Sequence, residues 1–255
     1  MDNSQLVGLS RQMVLKRHLD VVANNIANMN TTGFKADNMM FEEHLASAAR
    51  ATHTNGKLTN VSFVHDRGIW RDFSQGAVQA TGNPLDIALV GEGFLTVQTP
   101  DGERYTRSGS LQIAANGQLV NNDGFAVLGE NGPITFQQTD RNVAISKDGR
   151  ITVTEGSNTI TEGFRGKLRV VRFAQPQTLQ KDGLCNFVAP AGTIAQPVTN
   201  VNIQQAVLEK SNINAVLEMT RLIDITRTYT QIATMLQQQH ELRHNAIQQL
   251  AEVPA

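Results

Sequence analysis

His240-Glu241-Leu242-Arg243-His244 is the one stretch whose residue types and spacing match a reaction centre. On a helix, the pattern H-E-x-x-H sets two imidazoles one turn apart on one face, where they can hold zinc while the glutamate acts as general base of a peptide hydrolase. A hydrolytic site also needs a third protein ligand and an enclosing cleft, and only 11 residues follow His244. Among these Glu252 is the sole candidate ligand, close to Pro254. The triplet Gln237-Gln238-Gln239 just before supplies none of the apolar packing that buries such a helix. Two polar helix residues at an i, i+4 spacing are therefore the preferred reading, with a zinc metallopeptidase as the rival.

The remaining candidates for chemistry are weaker. Gly91-Glu92-Gly93 lacks the third glycine and the following helix of a dinucleotide loop, so a turn is expected there. His18, His44, His53 and His65 form no ligand-spaced cluster. Cys185, the single cysteine, has no neighbouring Cys or His to activate it and excludes an internal disulfide framework. Asp86, in Pro84-Leu85-Asp86, reads as a turn-stabilising carboxylate before a strand. No catalytic residue, metal or cofactor is expected.

The elements around these residues are more informative. From about Gln204 to Leu250 the chain reads as one long helix uninterrupted by Gly or Pro. Leu222, Ile225, Tyr229, Ile232 and Leu236 succeed one another at steps of 3, 4, 3 and 4, a narrow seam that calls for a partner helix. The intervening Glu218, Arg221, Asp224, Arg227 and Gln231 are polar. After Leu236 the seam shifts through His240, Ile247 and Leu250, an extra step that alters supercoiling. At the other end, Asp2, Asn3 and Ser4 offer N-caps to a helix reaching about Met29. In it Leu15, Leu19, Val22, Ile26 and Met29 step by 4, 3, 4 and 3, while Leu6, Leu9 and Met13 lie on a different flank. Asn28, Asn30, Thr31, Thr32 and Gly33 stop it.

Composition narrows the function classes. The chain has 255 residues, 40% of them hydrophobic, enough for a core and one or two domains. Its 22 basic and 23 acidic residues are interleaved, with a net charge of −1, so no nucleic-acid groove or anionic membrane surface is indicated. Met1 to Ser10 lacks a basic start, and Arg11, Gln12, Lys16 and Arg17 break up the apolar residues after it, so neither a secretory segment nor a membrane span is expected.

From about Ala80 to Ala189 every signal is β. Short apolar runs at 87–90, 94–97, 111–113, 119–120, 125–128, 143–145, 151–153 and 168–173 are separated by Asp101-Gly102, Asn116-Gly117, Asp123-Gly124 and Asp148-Gly149. Such a pattern predicts a meandering antiparallel domain, most of its strands pairing with sequence neighbours. Between helix and β domain, Met39, Met40, Phe41 and Leu45 with Glu42, Glu43 and Arg50 suggest a short helix, 52–56 a loop and 61–64 a strand. The expected fold is α+β: N- and C-terminal helices pairing as a coiled-coil-like inner domain, with a central, mainly antiparallel β domain. Its segments are 1–33 (helix), 34–79 (transition), 80–189 (β domain), 190–203 (linker) and 204–255 (helix).

Ala23-Asn24-Asn25-Ile26-Ala27-Asn28-Met29-Asn30-Thr31-Thr32-Gly33-Phe34-Lys35 closely resembles the N-terminal signature of the flagellar basal-body rod and hook protein family. Gly82-Asn83-Pro84-Leu85-Asp86, Gly91-Glu92-Gly93-Phe94 and Tyr105-Thr106-Arg107-Ser108-Gly109-Ser110 are similar to its middle blocks. Leu208 to Asn214, Glu218-Met219 and Arg227-Thr228-Tyr229 are similar to its C-terminal signature. Two departures are Thr230, where the family usually has Glu, and Leu184-Cys185-Asn186 before Phe187.

The resemblance implies a structural subunit of the rod, most like the proximal rod, with the distal rod as alternative. It implies terminal helices in an inner tube and a β domain in an outer layer. Implied partners are other rod proteins, copies of itself and the flagellar type III export apparatus, reached without signal cleavage, with no nucleic acid and no direct membrane insertion. Leu15, Leu19, Val22 and Ile26 are expected to pack against Leu222, Ile225, Tyr229 and Ile232, with Leu236 ending the seam, and against the same helices of neighbouring subunits. Asn24, Asn25 and Asn28 either end the helix or fix register across subunit contacts.

Overall fold

The computed structural model describes residues 3–46, 61–155, 161–183, 185–198 and 200–251. Asp2, the expected loop 52–56 with His53, Leu184, Glu252 and Pro254 lie outside the described residues. Contacts divide the chain into two compact units, one of Met1–Ala27, Asp37–Trp70 and Asn214–Ala255, the other of Asn28–Ala36 and Arg71–Ile213.

The first unit holds helix α1 (Asn3–Ala27), helix α2 (Ala215–Ala251) and a two-stranded sheet of Asp37–Ala46 and Val61–Arg71. The short helix expected around Met39–Arg50 is thus a strand through Ala46; a brief apolar run is ambiguous by period alone, and pairing decided it. A larger correction concerns α2, which starts at Ala215 rather than near Gln204. Asn214 caps it, its Oδ1 accepting the Leu217 N–H at 3.2 Å. Upstream, Ile203–Gln205 pairs with Ile87–Leu89, and Val207–Glu209 pairs with Val78–Ala80, on either side of Ala206 at φ +61°. A lack of Gly and Pro permits a helix without requiring one. Here backbone partners elsewhere in the chain won.

In the second unit the four Asx-Gly pairs each turn one antiparallel strand into the next. Phe94–Thr99 meets Gly102–Thr106, Leu111–Ile113 meets Leu119–Asn121, which meets Ala126–Gly129, and Asp140–Ile145 meets Arg150–Glu155. Asn121 Oδ1 holds one of these turns by accepting the Asp123 and Phe125 N–H groups at 3.1 and 2.8 Å. The ten-stranded sheet is nevertheless no simple meander. Its central strand Phe94–Thr99 also pairs with Ala126–Gly129 and with Val170–Arg172, far along the chain. That strand is buried on both faces: Leu95 and Val97 enter a core with Ile87, Leu119, Val127, Ile151 and Leu168, while Phe94 joins Tyr105, Phe173 and Phe187. The Phe94 ring lies 5.8 Å from that of Phe187, edge to face.

Candidate assembly surface and a buried charge cluster

Two contacts set how α1 and α2 run together. Asn25 Nδ2 reaches Glu218 Oε2 at 3.4 Å, and Gly8 sits so near Leu236 that a Cβ there would lie 2.7 Å from Leu236 Cδ2. Low numbers of α1 therefore lie beside high numbers of α2, an antiparallel pair. Along α2 the seam is Glu218, Leu222, Ile225, Tyr229, Ile232 and Leu236, in steps of 4, 3, 4, 3 and 4. Ile225 and Ile232 are buried, and Leu222, Tyr229 and Leu236 half-buried. On α1, Val22 is buried and Leu15, Leu19 and Ile26 are half-buried. The seam residues are thus buried or half-buried on two helices that run side by side.

The asparagines are used differently from one another. Asn25 is buried, its Nδ2 donating to Asp37 O at 2.8 Å and its Oδ1 accepting the Asp37 N–H at 3.1 Å. Its amide is committed inside the chain, not across a subunit contact. Asn28 is also buried and accepts from Thr31 Oγ1 at 3.2 Å beyond the end of α1, whereas Asn24 is exposed. Glu218, read from sequence as an outer polar residue, is buried and receives Arg221 Nη1 at 2.5 Å. Its position four before Leu222, in phase with the seam, was the signal that could have found it.

The expected shift of the seam after Leu236 is corrected as well. Gln239 and Arg243 are half-buried, while His240 is exposed and Ile247 is 66% exposed. With Gly8 beside Leu236, the first described residue of α1, Asn3, falls opposite a point about five residues further on, near Glu241. The described part of α1 thus runs beside α2 as far as about Glu241. On the sides turned away from the seam, Leu9 and Met13 of α1 and Val216 and Ile223 of α2 are exposed.

Among the described residues, those whose types suggest chemistry do not gather into one site. His240, Glu241 and His244 are exposed on α2, and among the described residues no group of three or more His, Cys, Asp or Glu could hold a metal ion. His18 packs edge-on against Phe41 at 5.2 Å, and burial, then the Arg221 charge, holds its pKa below 6.5. Burial pushes the Cys185 thiol up to about 11, the range of an inert packed residue. Gly91-Glu92-Gly93 leads into a strand. Asp86 Oδ1 accepts from Asn83 Nδ2 at 3.0 Å, as a turn carboxylate should.

The strongest electrostatic feature is one the sequence did not reveal. In the β unit Lys35, Arg107 and Glu209 are 2%, 5% and 1% exposed and form one cluster. Glu209 Oε1 accepts Lys35 Nζ at 2.6 Å and the Gly76 N–H at 3.0 Å, and Oε2 accepts Arg107 Nε at 2.7 Å. Lys35 also donates to Ser74 O at 2.6 Å. Arg107 donates to Leu89 O at 3.1 Å, Gly91 O at 2.5 Å and Gly93 O. Around it, the Gly33 N–H reaches Glu209 O at 2.9 Å and the Ala36 N–H reaches Asn212 Oδ1 at 2.9 Å. The cluster borders a cleft of about 470 Å³ floored by Phe73, Phe94 and Phe173. Its members come from the N-terminal, middle and C-terminal signature blocks, and each polar group has its partner, which makes it a structural staple.

Burial alone would raise the Glu209 pKa, but Arg107, Lys35 and the Gly76 N–H outweigh it and hold the carboxyl below 4.5. A depressed carboxylate contributes stability that is present above pH 4.5 and is lost as the pH falls through its folded value. Asp140, clamped by Arg165 Nε and Nη2 at 2.6 Å each, is also depressed and adds to the same acid loss. We therefore expect the stability gap between the wild type and Glu209→Gln, measured by urea unfolding, to narrow steadily below pH 4.5. A gap that stays constant down to pH 3 would show that the charge of Glu209 contributes nothing.

Comparison with known proteins adds evidence from end to end. Residues 6–35 match the family described as flagella basal body rod protein, 88–153 the flagellar hook protein FlgE/F/G D1 domain, and 204–249 the flagellar basal body rod FlgEFG protein C-terminal family. Flagellar basal-body rod protein FlgF of Caulobacter vibrioides is 40% identical over 254 residues, 99% of this chain and 100% of the relative. FlgF of Mesorhizobium japonicum is 34% identical, over 98% of each chain. Flagellar basal-body rod protein FlgG of Bacillus subtilis is 32% identical over 237 residues, 87% of this chain and 89% of the relative.

Proposed function

The chain belongs to the flagellar basal-body rod protein family, and from that premise we propose that it is a proximal rod subunit joining its neighbours through the outer sides of α1 and α2. The family is structural, and this protein is not an enzyme. It assembles with other rod proteins as part of the basal body. Its resemblance to FlgF over nearly all of both chains favours the proximal over the distal rod.

The observation that carries the interface reading is an apolar outer side on each of two helices whose seam residues are already buried or half-buried. Met13 is 65%, Ile223 66% and Val216 76% exposed, on the far side of each helix from Val22 and Ile225. Exposed side chains of this size gain by burial against another subunit. A head-to-tail array uses two different surfaces per subunit, which suits patches on opposite sides of two helices. Leu15, Leu19, Val22, Ile26, Leu222, Ile225, Tyr229, Ile232 and Leu236 would then shape the helix pair that presents these patches, with Asn25 fixing its register. The unit of Met1–Ala27, Asp37–Trp70 and Asn214–Ala255 would contribute the inner domain, and the unit that holds 80–189, with 204–213 now part of it, the outer one. Export through the type III apparatus without a cleaved segment is part of the same proposal. No helix among the described residues is long and apolar enough to cross a membrane.

Complementation tests the reading. In a strain lacking this protein, Leu9→Lys/Met13→Lys and Val216→Lys/Ile223→Lys should each abolish swimming and be missing from isolated basal bodies. The purified variants should keep the wild-type circular dichroism and melting profile. Full motility with both pairs changed would remove these sides of the helices from the interface.

A further inference from the structure

We propose that His240 and His244 form a two-ligand chelate for a divalent transition-metal ion on the last turns of α2. Both imidazoles are exposed, and with Glu241 and Asn245 they share one stretch of the helix surface. One turn separates them, a rise of about 6 Å, and the helical backbone holds that spacing before any ion arrives. Imidazole suits copper, nickel and zinc, and an i, i+4 pair on a rigid helix presents two such donors to one ion. Two protein ligands leave the remaining positions to water, so the site is a clamp with no catalytic role.

The surroundings agree with that use. His244 Nε2 lies 3.1 Å from Gln248 Nε2, an exposed contact that an ion would displace at little cost. Glu241 Oε1 accepts Gln237 Nε2 at 3.1 Å, leaving its second oxygen to balance charge nearby. An ion bridging one turn of a helix opposes the opening of that turn, so binding would slow exchange of the amides around it. The inference concerns these residues alone and stands apart from the rod assignment.

Nickel(II) alone, titrated into the full-length protein and followed by calorimetry, is the first test. One equivalent should bind, and at least about tenfold more weakly to His240→Asn and to His244→Asn, while Gln248→Ala binds as well as wild type or better. The second measurement is amide exchange, in which nickel should slow residues 240–249 in the wild type and in neither histidine variant. Both side chains are exposed, so circular dichroism should verify that the variants fold. Equal uptake by wild type and both histidine variants would assign the metal to other histidines and overturn the proposal. Absence of binding at millimolar nickel, or binding that leaves exchange of 240–249 unchanged, would overturn it as well.

Discussion

Glu209→Ala is expected to destabilise the β unit by about 3–5 kcal/mol, the range for removing one partner of a buried, hydrogen-bonded ion cluster. Lys35 and Arg107, 2% and 5% exposed, would lose the carboxylate that both pair with, and the Gly76 N–H would lose its acceptor. Against a typical domain stability of about 5–15 kcal/mol that is a large share. Glu209→Gln separates the causes, because it can still accept from Gly76 while removing the charge. Lys35→Met should cost less, since Arg107 remains to pair with Glu209. In the combination Glu209→Gln/Lys35→Met the losses should be clearly less than additive, as for any pair in contact. Urea denaturation followed by circular dichroism measures all of these. A Glu209→Ala loss below about 1 kcal/mol would mean that the cations find water or other partners, and the staple would lose its role.

Gly109→Ala should rival it, by a different mechanism. A Cβ at Gly109 would lie 1.8 Å from Ile87 O and 2.7 Å from Ile87 C, so backbone would have to move. The Ile87 N–H donates to Gly109 O at 3.0 Å, which ties the two segments at the point of collision. Gly76→Ala faces the same problem, 2.0 Å from Lys210 O. Overpacking commonly costs about 1–3 kcal/mol, and with backbone on the receiving side both substitutions should reach at least the top of that range. Gly124→Asn is the control: its φ of +83° suits asparagine and nothing lies within 4 Å of a Cβ there, so a loss below about 1 kcal/mol is expected. Thermal melts of the three variants decide the matter. If Gly109→Ala melts with Gly124→Asn, the close approach of the two segments has room to relax.

Those two sites also mark where the sequence stopped being informative. The hairpins were legible because Asx-Gly turns act over two residues, and Asp101-Gly102 or Asp148-Gly149 state their turn without help from the rest of the chain. The helical seams were legible because period is a local property. The start of α2 was not: Ile203–Gln205 and Val207–Glu209 become strands only through partners at Ile87–Leu89 and Val78–Ala80, more than a hundred positions earlier. Lys35, Arg107 and Glu209 stood in plain view within recognisable blocks, but a charged residue reads as surface until its partners are known, and these lie 102 and 174 positions from Glu209. The exposed sides of the helices were half-legible, through the separate flank of Leu6, Leu9 and Met13. Val216 and Ile223 fall outside the main seam, and nothing in their spacing sets them apart.

The same long spans bear on how fast and in what order the chain can fold. Glu209 is bound to Lys35 and Arg107, its strand closes on Val78–Ala80, and Asn25 of α1 meets Glu218 of α2. The β unit cannot close until the chain is present through Glu209, and the helix pair waits for α2 beyond it. Contacts of such sequence separation make folding slow, because loop-closure entropy is lost before the contacts form. A chain that emerges amino-terminus first, from a ribosome or from any narrow pore, therefore stays open along most of its length and gains its structure late, when the last quarter arrives.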